Sequence, residues 1–114
     1  MSQEIITPGQ IVNELQRITQ AMDKGASALY DAECKLADAD AAYDKAVSLA
    51  FINNDGTVAD RQAVAKLQSV DAKLKADLAR AEFNRVKTKM KTLSDQATML
   101  AVMSRNVETM WKHA

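Results

Sequence analysis

Apolar residues recur through the first half of the chain in alternating steps of four and three. The row holds Ile11, Leu15, Ile18, Met22, Leu29, Ala32, Leu36, Ala39, Tyr43, Ala46 and Ala50, with Gly25 the one member that is not apolar. A sustained 3.5-residue repeat is the mark of a coiled-coil seam, because it keeps one stripe of a helix facing a partner helix. The pattern predicts one long helical segment over 8–52. Its start is written in Thr7-Pro8-Gly9-Gln10: a threonine cap, a proline suited to the first helical position and a glutamine that completes a capping box. Residues 1–6 carry no such pattern and are expected to fray. Gly25 has two readings. It either kinks the helix, since glycine is about 1 kcal/mol worse than alanine inside one, or it lets another backbone pack close.

Asn53-Asn54-Asp55-Gly56 is the one strong turn signal, because Asp-Gly favours positive φ and Asn tolerates it. A turn is therefore expected over 53–57, with Thr57 capping a second helix over 58–112. That helix carries two stripes. Val64, Leu67, Leu74 and Leu78 form one. Phe83, Val86, Met90, Leu93, Ala97, Leu100, Val107 and Trp111 form a cleaner one, continued toward the turn by Ala65, Ala72, Ala76 and Ala79. The five-residue step from Leu78 to Phe83 reads as a stutter that shifts the seam. Two apolar faces on one helix need more than one neighbour, and a lone hairpin supplies only one. The expected fold is all-α: a single domain, 1–114, built as a long two-helix antiparallel coiled-coil hairpin that assembles into a homo-oligomer. Phe83, Met99, Met103, Met110 and Trp111 are the candidate oligomer-interface residues. Methionine suits an adaptable interface, although ordinary core is the plainer reading of this cluster.

Composition agrees with helix. Among 114 residues there are one proline, three glycines and five aromatic residues, too few turns and β-formers for a sheet protein. The single Cys34 cannot form an internal disulfide, which suits a cytoplasmic location. The opening MSQEIITPGQ lacks the basic-then-apolar order of a secretory signal, and no apolar run is long enough to span a membrane.

Catalytic chemistry is not expected. His113 is the only histidine and lies one residue from the end of the sequence, whereas a tuned acid or base needs a fixed environment. Cys34 has no histidine near it in sequence and reads as a small helix residue. Asp38 and Asp40 point to different faces of a helix, and Asn53-Asn54-Asp55-Gly56 lacks the glutamate and spacing of a calcium loop. No phosphate-cradling glycine loop, acyl-transfer motif or zinc motif is present. Neither a cofactor nor a metal is implied.

Formal net charge is zero, but the charges are segregated. Residues 23–44 carry six acids against two lysines, and residues 73–91 carry seven bases against two acids. Within the second segment, Asn84-Arg85-Val86-Lys87-Thr88-Lys89-Met90-Lys91 has four bases and no acid. In a hairpin it would lie opposite about 19–25, where Asp23 is the only acid. Arg80, Arg85, Lys87, Lys89 and Lys91 are therefore the candidate nucleic-acid contacts, acting on phosphates. The plainer reading is a solvated face, or a surface that pairs with the acidic segment of another subunit.

The chain also resembles small α-helical phage proteins grouped with the UvsY-like recombination mediators. The similar stretches are Ala42-Tyr43-Asp44-Lys45-Ala46, the turn with Gly56-Thr57, and Val58-Ala59-Asp60-Arg61-Gln62-Ala63-Val64-Ala65. Ala81-Glu82-Phe83 with the basic stretch and a closing helix with Gln96, Leu100 and Arg105 complete the likeness, over about 29–108. The resemblance implies a non-enzymatic oligomer that binds single-stranded DNA in the host cytoplasm. It implies as protein partners a recombinase or a single-strand-binding protein. The alternatives that the residues leave open are a structural coiled-coil scaffold or assembly protein, and a small adaptor or inhibitor that docks on another protein.

Overall fold

The first helix starts where the sequence supplies its cap. The Thr7 N–H donates to Gln10 Oε1 at 2.8 Å and the Gln10 N–H donates to Thr7 Oγ1 at 3.2 Å, so each residue's side chain satisfies an otherwise orphaned backbone donor of the other. In a computed structural model, residues 7–112 are described, and all regular structure among them is helical: α1 Pro8–Asn53, α2 Val58–Gln68 and α3 Val70–Lys112. Residues 1–6 and His113 lie outside the described residues.

At the turn, Gly56 takes φ +115°, a conformation that a side chain would strain. Thr57 then caps α2, its Oγ1 accepting from the Asp60 N–H at 3.2 Å. Asn54 closes α1 by donating its Nδ2 to the Ala50 carbonyl at 2.6 Å. Arg61 ties α2 back to α1: its Nε donates to the Phe51 carbonyl at 3.0 Å, and its guanidinium lies 4.3 Å from the Phe51 ring centre.

Contacts divide the chain into two units. A terminal unit joins the segment ending at Ser27 to the segment beginning at Lys87. A central unit is Ala28–Val86. In the terminal unit Ile11, Ile18 and Leu93 are buried, with Leu15, Met22, Met90, Ala97 and Leu100 half-buried. α1 runs through Gly25 without interruption. A methyl group built on Gly25 would collide with Met90 Sδ, so the close neighbour here is a side chain rather than the backbone expected.

In the central unit the fully buried residues are small: Ala32, Ala50, Ala65, Ser69 and Ala76, with Val86 the one larger member. The row Ala65, Ser69, Ala72, Ala76, Ala79, Phe83, Val86 keeps steps of four and three, and none of its members is exposed. The seam therefore does not shift between Leu78 and Phe83. The stutter expected there arises from reading the leucines as seam. Instead Leu67, Leu74 and Leu78 are 74%, 56% and 61% exposed.

The second helix, expected as one run over 58–112, is interrupted at Ser69. Its hydroxyl donates to the Ala65 carbonyl at 2.6 Å, and its N–H donates to the same oxygen at 3.1 Å. A side chain that bonds back onto the preceding turn disturbs helix geometry locally. The ladder resumes at once, with the Lys73 N–H donating to the Ser69 carbonyl at 2.9 Å.

Candidate nucleic-acid interface

α3 carries all five basic candidates, but their surroundings differ. Arg80, in the central unit, reaches from α3 to α1. Its Nη2 donates to both oxygens of Asp40, at 3.1 and 2.9 Å, and its Nη1 lies 4.0 Å from Asp77. Arg85, also central, is held by Glu82 one turn earlier, Nε at 3.0 Å and Nη2 at 2.7 Å. That bidentate hydrogen bond holds the Glu82 carboxyl below its ordinary range and raises the Arg85 guanidinium above its own. Both arginines are thus already engaged with carboxylates.

Lys87, Lys89 and Lys91 belong to the terminal unit. All three are exposed, and among the described residues none makes an ion pair. Half-buried Met90 and buried Leu93 mark the inward side of this stretch. On a helix, Lys87 and Lys91 fall four residues apart on one flank of that inward row, and Lys89 falls on the other. Where Gly25 meets Met90, α1 contributes Asp23 and Lys24, one charge of each sign and both exposed. Bases outnumber acids in this stretch, exposed Asp95 one turn beyond Lys91 being the acid of the same flank, and the two lysines of that flank are spaced to take neighbouring phosphates of a single strand.

Among the interface candidates, Phe83 is half-buried in the central seam and Met103 is half-buried in the terminal unit. Met99, Met110 and Trp111 are 64%, 70% and 59% exposed.

Two further lysines were not among the candidate contacts, although Lys73 was counted in the basic segment 73–91. Lys66 and Lys73 border a cleft of about 660 Å³ in the central unit, walled by Tyr43, Val47, Phe51 and Val70. Neither makes an ion pair among the described residues. Their signal was present as spacing: Lys66, Lys73 and Arg80 stand seven residues apart, which places them along one side of the seam. Asp40, Asp44 and Asp77 stand beside Lys73 and Arg80 in the adjoining groove, so this side is of mixed charge.

Cys34 is exposed. Cys34, one turn on from Tyr30, is the main cause that raises the Tyr30 phenol above its ordinary range. Among the described residues no group of three or more His, Cys, Asp and Glu is placed to hold a metal ion. No helix among them is long and apolar enough to cross a membrane. Known protein families, curated proteins and solved structures contain no match to this chain.

Proposed function

We propose that the protein is a non-enzymatic accessory protein that self-associates and binds single-stranded nucleic acid through phosphates, with its long helices arranged as an antiparallel hairpin. The observation that carries the reading is the set of three exposed lysines, Lys87, Lys89 and Lys91, without carboxylate partners among the described residues. No aromatic side chain is interleaved in the stretch 84–91, so recognition is of the backbone and tolerant of sequence. Each subunit neutralises roughly two phosphates, and useful affinity comes from several subunits on one strand. The likeness to recombination mediators agrees with this role and adds a recombinase or a single-strand-binding protein as partner.

The test is strand binding measured against salt. Lys87→Glu with Lys91→Glu is expected to lower affinity at least tenfold and to flatten the slope of log affinity on log salt by about 1.4, two phosphates at about 0.7 each. Helicity and oligomer mass stay unchanged. Wild-type protein that binds no strand at low salt removes the reading.

The exposed Leu67, Leu74 and Leu78 favour a second reading, a scaffold that acts only through helix contacts. It predicts self-association without strand binding.

A further inference from the structure

The side of α2 and α3 opposite the central seam is an unpartnered apolar face. Along it stand Asp60, Ala63, Leu67, Val70, Leu74, Leu78, Ala81 and Arg85, every one exposed. The same side stays outward on both sides of Ser69, since Leu67 and Leu74 are both open while Ala65 and Ala76 are both buried. Val70 also forms a wall of the cleft with Tyr43 and Phe51, so the stripe adjoins the cleft at this residue. Surfaces of this kind mark interaction sites.

The order of residues on the stripe is its own reverse complement. From the centre outward in one direction it reads Val70, Leu67, Ala63, Asp60. In the other it reads Leu74, Leu78, Ala81, Arg85. We propose that this face binds the same face of a second copy, antiparallel, about a two-fold axis that passes between Val70 and Leu74. An isologous contact requires a self-complementary patch, and this register supplies one at every level. Val70 meets Leu74 of the second copy, Leu67 meets Leu78, and Ala63 meets Ala81. At the ends Asp60 meets Arg85, which already holds Glu82.

The flanks agree in the same register. Asp71 falls beside Lys75 of the second copy, and Lys66 falls within a turn of its Asp77. All four residues are exposed, and flanking pairs of this type set partner and direction in helix pairing. A parallel alignment instead stacks Asp60 on Asp60, Asp71 on Asp71 and Arg85 on Arg85. Charge therefore selects the antiparallel arrangement. The proposal deepens the self-association in the function proposed above, and it names the leucine stripe, rather than the C-terminal methionines and Trp111, as the contact.

The experiment uses the full chain. Sedimentation of wild type is expected to give a mass above that of one chain, and Leu74→Glu is expected to raise the dissociation constant at least tenfold with helicity unchanged. Direction is read by disulfide trapping in a Cys34→Ser background. Leu67→Cys and Leu78→Cys proteins, one carrying a mass tag, are mixed and oxidised. Antiparallel pairing gives the mixed 67–78 dimer in excess over either same-site dimer. Predominant 67–67 and 78–78 products overturn it. An oligomer that survives Leu74→Glu with no mixed disulfide overturns this face but leaves self-association standing, and points to Met99, Met110 and Trp111. A wild-type monomer removes both. Should Leu74→Glu unfold the chain, the trapping result alone decides. Strand binding is scored separately, so a stripe-paired dimer that binds no strand keeps this inference and loses only the nucleic-acid role.

Discussion

The Nη2 atom of Arg80 bridges both carboxylate oxygens of Asp40, at 3.1 and 2.9 Å, across forty residues of sequence. The pair is half-exposed, so its worth to stability is small, about 0–1 kcal/mol. Its effect on binding is larger in kind than in size: a guanidinium held by its own chain is poorly placed to take a phosphate. Arg80→Ala is expected to change strand affinity less than twofold and to lower unfolding free energy by no more than about 1 kcal/mol, in contrast to the tenfold loss on reversing Lys87 and Lys91. Filter binding and urea unfolding of the same preparations check both halves. An Arg80→Ala loss as large as that of the lysines would place the strand on the other unit.

Gly25 and Met90 form a size-matched contact. Alanine at 25 gains about 1 kcal/mol of helix propensity but forces the Met90 thioether out of its place, and overpacking costs about 1–3 kcal/mol. The atoms met belong to the flexible, half-buried Met90 side chain, which can shift, so Gly25→Ala is expected to change stability by less than about 1 kcal/mol net. Met90→Ala should relieve the collision, so a double-mutant cycle should show coupling of about 0.5–3 kcal/mol. Thermal or urea unfolding of the four proteins measures it. Additive effects would mean that the two residues do not touch.

Ser69 is 1% exposed and its hydroxyl is satisfied locally. Ser69→Ala removes a polar group from the seam, and the Ala65 carbonyl keeps its bond from the residue-69 N–H. Stability should rise by about 0.5 kcal/mol. Ser69→Leu should lower it by about 1–3 kcal/mol, because the position has no room. The opposite order of melting temperatures would contradict the burial of this site.

Acid should loosen the Glu82–Arg85 pair in a defined window. The Glu82 carboxyl is held below its ordinary value by the Arg85 hydrogen bond. Its contribution is therefore fully present above the unfolded-state value and is lost as pH falls through the lower folded-state value. Glu82→Gln should remove that increment near neutral pH, where it is fully present, and with it this share of the acid-side loss. Side-chain carboxyl shifts followed by NMR should show Glu82 titrating on the acid side of the ordinary glutamate range. A midpoint at or above that range would mean the pair is open in solution.

Much of the fold is legible in the residues. None of the positions of the first apolar row, Gly25 included, is exposed, because period alone fixes which side of a long helix turns inward. Capping residues placed the starts of α1 and α2 for the same local reason. The second seam was harder, since large apolar residues dominate a hydrophobicity reading. Leu67, Leu74 and Leu78 drew attention from the alanine row, and Ser69 was not counted in it. Spacing was the better guide there than side-chain size. The site divides in the same way. Lys87, Lys89 and Lys91 stand open as read. The Arg85–Glu82 pair could have been found from its three-residue spacing, whereas Arg80–Asp40 needs a register that no local pattern gives.

The alanine seam of the central unit has one more consequence. An alanine buries about three carbons fewer than a leucine, at about 0.8 kcal/mol per methylene-sized group. The central unit thus fills its most buried positions mainly with small groups and leaves three leucines, Leu67, Leu74 and Leu78, in contact with water. The hydrophobic free energy of those three leucines is released only when something covers the outside. A helical unit of this kind should melt at a temperature that climbs with protein concentration, so that the chain becomes more durable where it is abundant.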